Sequence, residues 1–172
     1  RIVFVCEDDL WEVDSSGGQA RRLTNSRSEI KTPYLAPSGK WIACCAKEEG
    51  DPDVYLMSAD GEPLTRLTWL NSVTRIVGWT PDGSSILFHS IHQAVHHRGS
   101  DAWLFKVGVD GGPVQRLPFG PAVSLNHQQK GSGIVLARNS MNNSRWKRYR
   151  GGMVGEIWVD EQGKGNFQRI LN

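Results

Sequence analysis

The sequence predicts an all-β protein built from four copies of a small antiparallel sheet. Three observations support this fold class: a phrase that recurs along the chain, an apolar run that precedes it in each unit, and an acid two places before an aromatic residue between them. A self-similar period of about 40 to 50 residues, with short strands between turns, is typical of β-propeller blades. We therefore expect four antiparallel strands in each complete unit.

The recurring phrase ends each unit and sets the period. Its copies begin at Arg22, Arg66, Arg116 and Arg169, so that successive copies are offset by 44, 50 and 53 residues. The first two copies read Arg-Leu-Thr, the third Arg-Leu-Pro and the fourth Arg-Ile-Leu. On this period residues 1–172 form one partial propeller, whose predicted blades are about 2–25, 32–70, 75–120 and 121–172.

An apolar run marks the second strand of each blade. The runs are Ile2–Cys6, 41–45, 86–88 and 134–137. Strands that are apolar on both faces are expected where each sheet is covered by its neighbours. Because the first unit starts at this strand, we expect its blade to lack the innermost strand. The four blades should then form an open or partial ring.

An acid precedes an aromatic residue by two positions where the third strand of each blade begins. A catalytic site normally uses one asymmetric set of residues, so repetition in every blade indicates a structural role. One such role is to accept backbone N–H groups at the start of the strand. A glycine-containing turn follows each pair, as a hairpin requires. The pairs are Asp9 and Trp11, Asp53 and Tyr55, Asp101 and Trp103, and Glu156 and Trp158.

The sequence patterns of common active sites are missing. The chain has no Gly-x-Ser-x-Gly, no His-Glu-x-x-His, no complete Gly-x-Gly-x-x-Gly and no phosphate-binding loop that ends in Gly-Lys-Ser/Thr. We therefore expect no catalytic residue and no cofactor. A binding module is favoured over an enzyme.

Charge is balanced over the whole chain but not along it. The net charge of +2 gives no overall attraction toward nucleic acid or membranes. Residues 111–155 contain no acid, however, and they include a cluster of cations and aromatics. Such a cluster either contacts an anionic partner or pins its own loop against the blade. Its members are the candidate binding residues Arg145, Trp146, Lys147, Arg148, Tyr149 and Arg150.

The loops between the second and third strands lengthen from blade to blade and all emerge on one face of the ring. They span residues 7–8, 47–52, 91–100 and 139–155. Long loops on one face of a rigid scaffold are where binding usually occurs. The third loop carries the weak metal candidates His92, His96 and His97. Without a carboxylate or cysteine ligand beside them in the loop, we expect these side chains to be solvated rather than metal-bound.

Three cysteines are an odd number without metal-ligand spacing, which favours free thiols and a reducing, cytoplasmic location. Cys6, Cys44 and Cys45 all lie in the predicted core strands, where we expect buried, slowly reacting thiols. No apolar run reaches the length of a membrane span, so we expect no membrane partner.

Three stretches carry a family resemblance that extends over essentially the whole chain. They are residues 2–12, residues 117–122, and residues 146–152 followed by 156–158. The repeat resembles that of TolB-type propellers, and these stretches resemble the N-terminal six-bladed propeller of tricorn-type proteases. The resemblance implies a module of a large cytoplasmic serine peptidase that degrades oligopeptides, in which propellers filter passage to and from an enclosed active site.

The resemblance and the residues together favour a non-catalytic propeller module that binds peptide or protein. The runner-up is an independent module that binds an anionic partner, nucleic acid or an acidic protein, through the basic segment of the fourth blade. A metal-dependent enzyme that uses the histidine loop is the third alternative. Because a partial ring leaves apolar blade ends uncovered, we also expect a homo-oligomer.

Overall fold

A computed structural model of the chain describes residues 1–25, 28–48, 50–94, 102–139 and 155–170. These residues form fifteen β-strands in four antiparallel sheets, and every sheet consists of strands that follow one another in sequence. The first sheet has three strands and each of the others has four. The predicted all-β fold of four blades, the first of them incomplete, is confirmed.

We number the blades in chain order. The described residues contain no helix of the length and hydropathy needed to cross a bilayer. The strands are β1 (Ile2–Cys6), β2 (Asp9–Val13) and β3 (Arg21–Arg22) in the first blade; β4 (Ile30–Leu35), β5 (Trp41–Ala46), β6 (Asp53–Ser58) and β7 (Gly61–Arg66) in the second; β8 (Thr74–Trp79), β9 (Ser85–Ser90), β10 (Trp103–Gly108) and β11 (Gly111–Pro121) in the third; and β12 (Ser124–His127), β13 (Ile134–Arg138), β14 (Glu156–Asp160) and β15 (Gln168–Arg169) in the fourth.

Each blade has two faces. The leading face points toward the preceding blade, and the trailing face points toward the following blade. Side chains alternate between the faces along a strand, and residues opposite each other in an antiparallel pair share a face. In the second blade Cys44 lies opposite Tyr55, and both pack toward the first blade on the leading face. Cys45 lies opposite Val54, and both pack toward the third blade on the trailing face. Both faces of this blade are therefore covered.

Three apolar clusters fill the seams between successive blades. The middle cluster joins the second and third blades around Phe88 and Phe105, whose stacked rings lie 5.7 Å apart. The first cluster joins Leu10 to the leading face of the second blade, and the last joins Leu87 to the leading face of the fourth. Burial of these side chains against one another holds the blades together.

The blades pack in chain order. Strand β4 contacts β1 of the preceding blade and β8 of the following one, and β8 in turn contacts β12. No contact of comparable extent joins the first blade to the fourth within the described ranges. The four blades thus form an open arc.

The first blade differs from the expectation that its apolar run is buried. Cys6 is exposed, which corrects the prediction that all three cysteines are buried. The cause is the position of the strand: Ile2, Phe4 and Cys6 lie on the leading face of the first blade, and no described residue forms a blade against that face. In the second blade the corresponding cysteines are buried as predicted.

The chain crosses from blade to blade at one end of the sheets, which we call the crossing face. Residues 67–73 connect β7 to β8 there, and the loops at residues 7–8 and 47–52, between the second and third strands of the first two blades, lie at the same end. The opposite end carries the tight turns, where Gly39 and Gly83 both have a φ of 70°. Glycine adopts this left-handed conformation without steric cost.

Candidate interaction surface at the crossing face

In the second blade, the acid before the aromatic residue is the centre of a hydrogen-bonded cluster. The Thr68 hydroxyl donates to Asp53 Oδ1 at 2.7 Å, and Arg66 Nη2 donates to Asp53 Oδ2 at 2.6 Å. Thr68 Oγ1 in turn accepts the backbone N–H of Val54 at 3.0 Å. Asp53 also accepts the N–H of Leu70 at 3.0 Å. The carboxylate thereby ties the end of the outer strand to the start of the third strand.

The first blade repeats this cluster with the same spacing. Thr24 donates its hydroxyl to Asp9 Oδ1 at 2.6 Å, and Arg22 pairs with the other carboxylate oxygen. Thr24 Oγ1 accepts the N–H of Leu10 at 3.0 Å. In both blades the arginine follows the aspartate by 13 residues and the threonine follows it by 15. We call this arrangement the Asp–Arg–Thr cluster.

The third and fourth blades keep only part of the arrangement. In the third, Pro118 takes the place of threonine, Asp101 lies outside the described residues, and the Arg116 guanidinium lies 4.5 Å from the centre of the Trp103 ring. In the fourth, Arg169 pairs with Glu156 at 3.1 Å, and Trp158 donates its indole N–H to the same carboxylate at 3.0 Å.

Asp9, Asp53 and Glu156 therefore have a structural role, although their donors differ from those expected. The backbone N–H at the start of the third strand donates to threonine, and the aspartate accepts the threonine hydroxyl. Sequence reasoning noted the acids and the Arg-Leu-Thr phrase separately. The constant spacing of 13 and 15 residues is the signal that would have joined them.

The segment that follows the cluster presents an exposed aromatic residue on the crossing face. Trp69 is 71% exposed, the highest value among the exposed large hydrophobic residues of the described chain. The Arg66 guanidinium lies 5.5 Å from the centre of its ring. Four residues further on, Val73 is 41% exposed. Tryptophan and arginine are the residue types most often found at the centres of protein interfaces.

A buried histidine lies at the crossing-face end of the third blade. His89 on β9 lies opposite Arg75, and its Nδ1 atom has no hydrogen-bond partner in the described part of the chain. Burial, followed by the charge of Arg75, lowers the pKa of His89 to about 4. The ring is therefore neutral at physiological pH.

The predicted histidine cluster is described only at His92. Its backbone N–H donates to Ser90 Oγ at 3.0 Å, and its ring meets the edge of Phe105 with centroids 6.1 Å apart. His96 and His97 lie outside the described residues. Within those residues no group of three or more histidine, cysteine, aspartate or glutamate side chains is placed to hold a metal ion.

The six predicted binding residues of the fourth blade, Arg145, Trp146, Lys147, Arg148, Tyr149 and Arg150, also lie outside the described residues. The loop that holds them leaves the blade after Arg138 and returns before Glu156, both at the crossing face. Arg138 lies 5.0 Å from the centre of the Trp158 ring and donates to the Phe119 carbonyl at 2.7 Å. The binding role of residues 145–150 stays a prediction.

Apolar side chains remain uncovered at both ends of the arc. On the leading face of the first blade Ile2 is 50% exposed, and on the trailing face of the fourth blade Ile157 is 51% exposed, with Val135 also exposed. Every internal seam pairs a trailing face with a leading face. The chain thus presents one unused face of each kind.

Comparison with known proteins gives the same architecture. A family model described as the tricorn protease N-terminal beta propeller domain matches residues 1–172. In solved structures, the crystal structure of the tricorn protease superposes with a TM-score of 0.82 at 27% identity, over 99% of this chain and 17% of that chain. A candidate TolB from Agrobacterium tumefaciens superposes with a TM-score of 0.68 at 22% identity, over 94% of this chain and 55% of that one.

Several curated relatives are much longer than this chain. It is 33% identical to tricorn protease homolog 1 of Streptomyces coelicolor over 172 residues, which covers 98% of this chain and 16% of the homolog. A candidate N-terminal subunit of a tricorn-like protease from Sulfurisphaera tokodaii is 28% identical over 96% of this chain and 83% of its own length. The family match over residues 1–172 is to a propeller domain, which confirms the prediction of a non-catalytic module. The chain belongs to the tricorn protease N-terminal β-propeller family.

Proposed function

We propose that this chain is a propeller module of a tricorn-type peptidase system that binds peptide or protein. The match of residues 1–172 to the tricorn N-terminal propeller carries the proposal. Propeller blades supply a rigid scaffold, and recognition on such scaffolds is normally carried out by loops at one end. The peptidase chemistry would belong to other parts of the system, as the 16% coverage of the Streptomyces coelicolor homolog suggests.

The crossing face is the proposed binding surface. It carries the exposed Trp69 ring, and it is where the loop with residues 145–150 begins and ends. The turns at Gly39 and Gly83, between the first and second strands of the second and third blades, lie at the opposite end. Short turns present few side chains to a partner, whereas the longer loops present many.

Binding of short fluorescent peptides tests this proposal. We expect saturable binding by fluorescence anisotropy, with a weak dependence on salt because apolar and backbone contacts dominate. The comparison ligand is a labelled single-stranded oligonucleotide of similar length. Failure of every peptide in a mixed-sequence pool to bind would refute the proposal.

The alternative of an anionic partner rests on the absence of acids from residues 111–155. Replacing Arg145, Lys147, Arg148 and Arg150 together by Gln shows whether these cations bind an anionic partner or pin their own loop. If the cations serve an anionic partner, oligonucleotide binding and its salt dependence fall while the melting temperature stays the same. If they pin their loop, the melting temperature falls and peptide binding weakens. We favour the second outcome, because single basic and aromatic clusters usually pack on their own surface.

We also propose that copies of the chain associate through the uncovered blade ends. Inside the arc, each covered leading face packs against the trailing face of another blade. The trailing face of the fourth blade is a surface of the same type, and its Ile157 and Val135 are exposed. A cytoplasmic location is part of the same proposal, supported by the three cysteines that are free in the structure.

A further inference from the structure

Trp69 stands out because the repeat itself does not require an aromatic residue at its position. It is the third residue after the arginine of its blade. The same position holds Asn25 in the first blade, and in the third blade it holds Phe119, whose ring packs edge-on against Phe167 at 5.3 Å. Only in the second blade is a large ring at this position left 71% exposed. Packing of the blade therefore does not explain Trp69.

The ring is held in place although it is exposed. Arg66, which contacts the ring, is fixed by Asp53 at 2.6 Å and by the Thr68 carbonyl at 2.9 Å. The backbone beside the ring is fixed as well, since Leu70 donates its N–H to Asp53 at 3.0 Å. A side chain that is already ordered loses little conformational entropy when a partner binds.

We propose that the open face of the Trp69 ring is a stacking site for an aromatic side chain of a bound peptide. This inference rests on the proposed function and names the side-chain class that the crossing face takes. The Arg66 cation contacts the ring and is attracted to the negative charge of its π face. This contact favours an aromatic ring over a second cation on the open side. Val73, four residues further along the same segment, is also exposed.

The test follows the indole N–H signals of the tryptophans in a ¹⁵N-labelled chain. The signal of Trp69 is assigned by its loss in Trp69→Phe. The probes are three blocked tripeptides, acetyl-Gly-Phe-Gly-amide and its Leu and Lys counterparts. The Phe peptide should shift the Trp69 signal in a saturable manner, and the other two should bind at least several-fold more weakly.

Trp41 is the matched control, because it is 43% exposed and begins β5 at the opposite end of the same blade. Its signal, assigned with Trp41→Phe, should not move. Equal shifts of both signals, or equal shifts with all three peptides, would overturn the assignment. A Trp69 signal that moves with protein concentration in the absence of peptide would also overturn it, since the ring would then contact a second copy.

A second measurement separates this inference from the function on which it rests. Trp69→Ala is compared with the unaltered chain in the anisotropy assay with the mixed peptide pool and with a Phe-containing peptide. Loss of affinity for the Phe-containing peptide alone supports the stacking site. If Trp69→Ala binds every peptide like the unaltered chain, the stacking site is wrong and the peptide-binding function stands. If the unaltered chain binds no peptide, both are wrong.

Discussion

Thr24 and Thr68 have the same role in the first and second blades. Each hydroxyl is buried, accepts a backbone N–H and donates to an aspartate. Removal of the hydroxyl leaves the buried backbone N–H without its acceptor and takes one donor from the aspartate, which keeps its arginine partner. A buried group that loses its hydrogen bond costs about 1–3 kcal/mol.

We expect Thr68→Val to lower the free energy of unfolding by about 1–3 kcal/mol. Valine keeps the shape of threonine but cannot accept from Val54 or donate to Asp53. Urea unfolding followed by circular dichroism measures the change. Thr68→Ser keeps the hydroxyl and should recover most of the loss, so equal destabilisation by Val and Ser would contradict the role assigned to the hydroxyl.

His89 makes stability depend on pH. Its pKa is lowered to about 4 in the fold, against an ordinary value of 6.5 in the unfolded chain. Between these values the unfolded chain binds more protons, so stability decreases as the pH falls from 6.5 toward 4. The loss should reach up to about 3 kcal/mol at the lower end. Chemical denaturation at a series of pH values measures it.

The matched variant for this effect is His89→Asn. It should flatten the dependence between pH 6.5 and 4, whatever its effect on stability at neutral pH. A smaller dependence should remain, because partial burial also lowers the pKa of His127. Identical slopes for the variant and the unaltered chain would show that His89 does not carry the effect.

At the scale of elements, similar apolar strands have different surroundings. Strand β5 is buried on both faces, whereas β1 has its leading face exposed. The difference appears in their cysteines: burial raises the pKa of the Cys44 and Cys45 thiols and shields them, while Cys6 is exposed. Reactive thiolate is therefore scarce on β5.

We expect one thiol to react with Ellman's reagent in the native state and two more only after unfolding. Cys6 should be the fast thiol, and Cys6→Ser should abolish the fast phase. Fast reaction of Cys44 would mean that the seam between the first and second blades opens readily, and fast reaction of Cys45 would mean the same for the seam between the second and third. The rate can be compared with global unfolding in the same buffer.

The elements were predictable where local pattern and tertiary packing agree. The apolar runs within β5 and β9 could be identified because both faces of these strands are covered by neighbouring blades. The exposure of β1 could not be predicted, because its sequence is the same kind of apolar run. It differs only in that no described blade packs against its leading face. The Asp–Arg–Thr cluster joins residues 13 and 15 apart across two strands, so it can be recognised only by comparing this spacing between blades and not from the pattern within one strand.

At the scale of the whole molecule, each blade contacts only its neighbours, so both ends of the arc keep an uncovered face. Ile157 lies on the trailing face of the fourth blade, opposite Ala137 on β13. The assignment of residues 1–172 to a single partial propeller with the blade limits given above stays a prediction. The proposed association through the two ends can be examined directly.

We expect Ile157→Lys to shift the chain toward monomer in light scattering at micromolar concentration, with little loss of stability, because the side chain is already half exposed. A charge at the proposed contact would have to be desolvated. Val73→Lys is the control, since Val73 is exposed on the crossing face and away from both ends. A mass of one chain for the unaltered protein would refute the association.

The missing inner strand of the first blade leaves a row of hydrogen-bonding groups open to solvent. In the other blades the second strand pairs on both sides, whereas β1 pairs only with β2. Such an edge is a template for strand addition and, without protection, for aggregation. Here the strand has charged neighbours, Arg1 before it and Glu7 and Asp8 after it. Charges at the ends of an apolar strand oppose the addition of further strands.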